Sequence, residues 1–71
     1  MTTAEIVKRA RTNKNWTMKQ LSEKSGVSLP TIWNIENERN TPSMDTMLAL
    51  MRAMDYDIVF KPRSKGGYLD E

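Results

Sequence analysis

Apolar residues recur at helical spacing in four successive stretches of this chain, and cap-forming polar residues separate them. Ile6, Val7 and Ala10 share one face of a first helix. Thr3 offers an N-cap hydroxyl, so this helix is predicted to open near Thr3 or Ala4 and to end around Thr12, ahead of the turn-forming Asn13-Lys14-Asn15. A second helix is bracketed more tightly. Thr17 with Gln20 three residues on makes a capping box, and Trp16 with Leu21 makes a hydrophobic staple across the same cap. Ser25-Gly26 closes it, because glycine enters the left-handed conformation without a Cβ clash. Ser28 caps a third helix with Pro30 in its first turn, where an absent N–H removes no helical bond. Ile32 and Ile35 face one side of that helix, Trp33, Asn34 and Asn37 face elsewhere, and Asn40-Thr41-Pro42 stops it near Asn37. Ser43 opens a fourth helix with Asp45 near the positive end of its dipole, and Met44, Met47, Leu48, Met51 and Met54 form its apolar stripe up to Asp55.

The pattern then changes. Tyr56-Asp57-Ile58-Val59-Phe60 is rich in β-branched and aromatic residues and predicts a short strand, limited by Pro62. Beyond it, Arg63 to Glu71 has no periodicity and contains Gly66-Gly67, which predicts a flexible tail. The division expected is therefore a helical domain over 1–55, a strand segment over 56–62 and a tail over 63–71.

Composition narrows the chemistry. Seventy-one residues suit one domain with a small core. There is no cysteine and no histidine, which removes disulfides, thiolate metal sites and the commonest general base. The acids Glu5, Glu23, Glu36 and Asp45 are spread along helices with no pairing motif, and no Gly-rich phosphate loop is present. An enzyme is not expected, nor is a metal or cofactor. The longest apolar run, Met47 to Met51, is far short of the roughly 20 residues a membrane span needs, and the N-terminus lacks a secretory signal pattern. The expectation is a cytoplasmic chain with no membrane partner. Eleven Lys and Arg against nine Asp and Glu leave a mild excess of +2, yet six of the bases lie between Lys8 and Lys24 with Glu23 as the one acid among them. Lys61, Arg63 and Lys65 form a second cluster. Charge alone leaves open both a polyanion partner and an ordinary solvated helix face.

The decisive arrangement is a helix, a short turn through Gly26 and a second helix between Thr17 and Asn37, which is helix-turn-helix geometry. A second helix held at a steep angle protrudes and suits the major groove of duplex DNA. Around it, Val7-Lys8-Arg9-Ala10-Arg11, Trp16-Thr17-Met18-Lys19-Gln20-Leu21, Gly26-Val27-Ser28, Thr31-Ile32, Ile35-Glu36-Asn37, Pro42-Ser43-Met44 and Met47-Leu48 follow in order. Together they resemble the Cro/CI-type (Xre-like) helix-turn-helix family, which includes small phage repressors and antitoxin-type regulators. The resemblance implies an all-α, four-helix, lambda-repressor-like domain that binds double-stranded DNA.

The same resemblance implies roles for individual positions. Ser28, Leu29, Pro30, Thr31 and Asn34 occupy the base-reading positions. An amide such as Asn34 can bond adenine N6 and N7 together, whereas Leu29 and Pro30 stand where the family often has polar residues and could meet thymine methyls instead. Thr17, Met18, Lys19, Trp33, Asn37, Arg39 and Asn40 are the candidates for the DNA backbone, with Met18 where the family usually carries Gln. Trp33 could instead lie flat across a neighbouring helix, but Ile32 and Ile35 already supply the core face, which favours a Trp33 that faces DNA or a partner. Arg11 and Glu36 correspond to a family ion pair that fixes the third helix to the first. Glu38 stands where the family frequently has Gly, which implies a changed turn or local strain. The methionines of the fourth helix fit either a core stripe or an adaptable binding groove.

A lone strand cannot satisfy its own backbone. Tyr56, Ile58, Val59 and Phe60 are therefore expected to pair with the same strand of a second copy, giving a two-fold homodimer as in antitoxin-type members of the family. Two functions compete. One is a homodimeric regulator, a repressor by expectation, on a pseudo-palindromic operator. The other is an antitoxin that chiefly grips a toxin partner while autoregulating its operon.

Overall fold

The structure, a computed structural model, describes residues 1–62. Four helices occupy this stretch: α1 (Thr3–Asn13), α2 (Met18–Ser25), α3 (Leu29–Glu36) and α4 (Met44–Ala53). The tail expected over 63–71, with Arg63 and Lys65, lies outside the described residues.

Each helix starts on a hydroxyl. Thr17 and Gln20 form the expected box, with Gln20 N–H donating to Thr17 Oγ1 at 3.1 Å and Thr17 N–H donating to Gln20 Oε1 at 2.8 Å. Ser28 and Ser43 cap α3 and α4. For α1 the cap is Thr2 rather than Thr3. A box needs a carboxylate or amide three residues after the hydroxyl, and Glu5 stands at that distance from Thr2. The Glu5 carboxylate accepts the Thr2 N–H at 2.8 Å and the Glu5 N–H donates to Thr2 Oγ1 at 3.2 Å. The bond from the Thr2 backbone is the main reason the Glu5 carboxyl titrates below its ordinary range.

Each helix also leaves through a left-handed residue: Asn15, Gly26, Glu38 and Asp55, with φ of 62°, 81°, 60° and 68°. After three of them the next amide reaches back five residues. Trp16 N–H donates to the Arg11 carbonyl at 3.2 Å, Arg39 N–H to Asn34 at 2.7 Å and Tyr56 N–H to Met51 at 2.9 Å. These are Schellman-type closures, which satisfy carbonyls the helix end leaves open. Asn and Asp tolerate this conformation. Glu does not, so the turn after α3 keeps the shape a glycine would take and carries the strain of a side chain.

The core is Val7, Ala10, Leu21, Ile32, Ile35, Leu50, Met51 and Met54, with Ile6, Trp16, Met18, Val27, Met47, Ala53 and Ile58 packed around it. α1 lies on α3, and α2 bridges α3 and α4. The buried line of α4 is rotated from the expected stripe. Leu50 is fully buried, Met51 and Met54 are buried, and Met44 is exposed. Met47, Leu50, Met51 and Met54 keep the i, i+3, i+4, i+7 spacing, so the methionines after Met44 belong to the core rather than to an open groove.

The strand expected over 56–60 does not form within the chain: no strand occurs among the described residues. Ile58 packs against the core, while Val59 and Phe60 are 73% and 77% exposed. A strand needs a ladder partner, and the described part of one chain provides none.

One polar contact ties the helices together. Arg11 Nε and Nη2 donate to the two Glu36 carboxylate oxygens at 2.8 Å each, and Arg11 Nη1 donates to the Trp16 carbonyl at 2.7 Å. The side chains are 11% and 2% exposed. Hydrogen bonding to Glu36 raises the Arg11 pKa further. By contrast, Lys14 Nζ to Asp55 Oδ2 at 2.8 Å joins the ends of α1 and α4 across an exposed surface, where a pair contributes little.

Two stability predictions follow from these contacts. Arg11→Ala or Glu36→Ala, which strands the remaining charge, is expected to cost about 3–5 kcal/mol in urea unfolding, with Arg11→Lys a poor rescue because an ammonium lacks the fork geometry. Glu38→Gly is expected to stabilise the fold by about 1 kcal/mol through relief of the left-handed strain. An unchanged unfolding midpoint for Glu38→Gly would show that the turn tolerates a side chain freely.

Candidate nucleic-acid interface

The turn between α2 and α3 is locked by side chains as well as by Gly26. Ser22 Oγ donates to the Val27 carbonyl at 2.6 Å, and Val27 N–H donates to Ser25 Oγ at 3.1 Å. Val27 is half-buried against the core. A Cβ on Gly26 would meet nothing within 4 Å, so glycine is required there by its φ of 81° and not by crowding.

α3 presents two unlike faces. At about 100° per residue, Ile32, Ile35 and Glu36 turn inward and Pro30 and Asn34 turn outward. Leu29 and Trp33 lie on one flank of the outer face and Thr31 on the other. Trp33 is 44% exposed and Leu29 40% exposed, and neither belongs to the core cluster. The Arg39 guanidinium sits over the Trp33 ring, 5.6 Å from its centroid, within cation–π range. Asn37 Nδ2 donates to the Trp33 carbonyl at 2.9 Å. The Asn34 carbonyl accepts from both Arg39 N–H and Asn40 N–H, while its side-chain amide makes no hydrogen bond among the described residues. Ser28 and Thr31 share a hydroxyl–hydroxyl bond of 2.7 Å, and Ser28 Oγ also accepts the Thr31 N–H.

The backbone candidates divide. Lys19, Asn37, Arg39 and Asn40 are exposed. Thr17 is exposed, with its hydroxyl held in the capping box. Met18 turns its side chain onto the core, so what it offers an anion is its first-turn N–H. The bases from Lys8 to Lys24 do not form one surface. Arg11 is internal, Lys14 and Lys24 lie 5.8 and 5.7 Å from the Trp16 ring centroid, and Lys8 and Arg9 border a shallow depression on α1 with Glu5 and Thr12. Two features had no sequence signal of their own: the third bond of Arg11, to the Trp16 carbonyl, and the stacking of Arg39 on Trp33. Both arise from turns that bring residues five or six apart together, a spacing outside helical periodicity.

Among the described residues, no group of three or more His, Cys, Asp or Glu side chains converges as a metal site would require, and no helix is long and apolar enough to cross a membrane. No curated protein matches the chain closely enough to serve as a relative. The helix-turn-helix family model matches residues 7–61. That span takes in the helix pair, the turn that sets its angle and the α1 clamp behind it, and the chain therefore belongs to the Cro/CI-type (Xre-like) helix-turn-helix family of DNA-binding transcription regulators.

Proposed function

We propose that the chain is a sequence-specific repressor that acts as a homodimer on a pseudo-palindromic operator, with α3 of each copy in the major groove. The observation that carries this reading is the two-faced α3. Its inner face is fixed by Ile32, Ile35 and the Glu36 pair, and its outer face holds Asn34 and Trp33 free of the core. Base reading falls to Ser28, Leu29, Pro30, Thr31 and Asn34. Phosphate contacts fall to Lys19, Arg39, Asn37, Asn40 and the indole N–H of Trp33, whose ring remains free for apolar contact, and to the first-turn amides beside Thr17 and Met18. Positioning by phosphates and specification by bases are separate tasks, and this division respects them.

Dimerisation through the segment Tyr56, Ile58, Val59 and Phe60 supports the same reading. Two large apolar side chains, Val59 and Phe60, stand open to solvent next to a core-anchored Ile58. A two-fold pair would bury them reciprocally, and the operator reading requires that pair to hold two copies of α3 about 34 Å apart, one turn of duplex. An antitoxin-type role is the second reading, and it draws on the same exposed pair as a grip for a partner protein. In either role the segment 1–55 is the DNA-binding part and 56–62 the association part.

Binding-site selection from random duplex DNA with the full chain tests the main reading, and a palindromic enriched site is the expected result. On that site Asn34→Ala is expected to cost about 1–3 kcal/mol with little effect on unrelated DNA. Equal losses on both would remove Asn34 as a reader. Arg39→Ala is expected to weaken every sequence alike and to reduce the salt slope by about 1. For association, the exposed positions allow Val59→Lys with Phe60→Lys without disturbing the core. Light scattering is expected to show a dimer for the native chain and a monomer for this variant. A variant that remains dimeric would place the interface elsewhere.

A further inference from the structure

The outer face of α3 is unusual in how few polar groups it offers to base edges. Pro30 has no N–H. Leu29 and Trp33 stand one helical turn apart, both substantially exposed, with Pro30 between them in sequence. The two hydroxyls that a polar reading would use, Ser28 and Thr31, are bonded to each other at 2.7 Å, and Ser28 Oγ is further engaged by the Thr31 N–H. Asn34 is left as the one side-chain amide on this face without a hydrogen bond among the described residues. The charge around the stripe selects its occupant. Arg39 lies on the Trp33 ring, Lys19 is exposed at the start of α2, and the α3 carboxylate, Glu36, is turned inward and paired with Arg11. Glu38 is the exposed acid beside Arg39, and an apolar stripe edged mainly by cations fits a surface that is anionic at its margins and apolar at isolated points within. The major groove has that character, because phosphates line it and the thymine 5-methyl is its apolar group.

We propose that α3 takes its sequence preference chiefly from thymine methyl groups, packed by Leu29, Pro30 and the Trp33 ring, with Asn34 as its one strong hydrogen-bonding reader. This rests on the reading of α3 as the DNA-reading helix and adds the base class it selects. Preferred sites are then rich in thymine on the strand edges that α3 covers. A hydroxyl or guanidinium reader would show no such dependence on a methyl group.

The experiment uses the full chain and the duplex enriched from random DNA. Each thymine is replaced in turn by uracil, which deletes the methyl and leaves every hydrogen-bonding group in place, and affinity is read by fluorescence anisotropy. Uracil is expected to weaken binding about fourfold at each contacted thymine and to leave the others unchanged. In Leu29→Ala, whose exposed position leaves the thermal midpoint in place, the thymine–uracil difference is expected to vanish at one position of each half-site. Binding that stays within twofold for uracil at every thymine overturns methyl reading while leaving α3 as the DNA-binding helix. Loss of a protein partner in Leu29→Ala with DNA affinity intact overturns it too, and marks the stripe as a protein-docking face. If no duplex is enriched, the operator reading itself falls, and methyl reading falls with it.

Discussion

The Arg11 guanidinium is the constraint on which the arrangement of the helices depends. It holds both oxygens of Glu36 and the Trp16 carbonyl at once, so one side chain joins α1, the α1–α2 loop and the last turn of α3. In a chain with a small core, hydrophobic burial alone permits helices to slide, because apolar contact has no direction. A bidentate pair has strong direction. The carboxylate that could have repelled a polyanion from α3 is the same one used to anchor it. Neutralising Glu36 internally and fixing the helix are thus one interaction.

The four left-handed helix ends show how a short chain makes sharp corners. Three are made by residues that accept the conformation readily, Asn15, Gly26 and Asp55, and the fourth by Glu38, which does not. The carbonyls of Asn34, Arg11 and Met51 each accept an amide from five residues on, so the turn geometry is over-determined by hydrogen bonds. That explains how a disfavoured residue persists at position 38 without changing the path of the chain. Its position beside Arg39 also leaves an exposed carboxylate next to an exposed guanidinium at the end of α3.

Much of this was legible in the sequence because it is encoded locally. Thr17-x-x-Gln20, Ser25-Gly26, Ser28-Leu29-Pro30 and Ser43 each mark a helix boundary by chemistry that needs nothing beyond a few neighbours, and the boundaries follow. Thr2 was also marked, by Glu5 three residues on, but the adjacent Thr3 offered an equal hydroxyl and drew the cap one residue inward. The burial of Leu50 and the exposure of Met44 depend on how far α4 is rotated against α2 and α1, which is a tertiary quantity. The segment around Ile58 is harder still. β-propensity describes a surface awaiting a neighbour, and the described residues supply none. The stacking of Arg39 on Trp33 was hidden for a similar reason: it is produced by the Schellman turn, not by periodicity.

The placement of the two tryptophans gives the molecule a pair of independent optical reporters. Trp16 is half-buried between the ammonium groups of Lys14 and Lys24 at the joint of α1 and α2, so its emission tracks the integrity of the scaffold. Trp33 is about half-exposed on a flank of the outer face of α3, with the Arg39 guanidinium over its ring, so its emission responds to what touches that helix. Substituting either one by phenylalanine separates the two signals, and unfolding and docking become distinguishable by colour in an unlabelled protein.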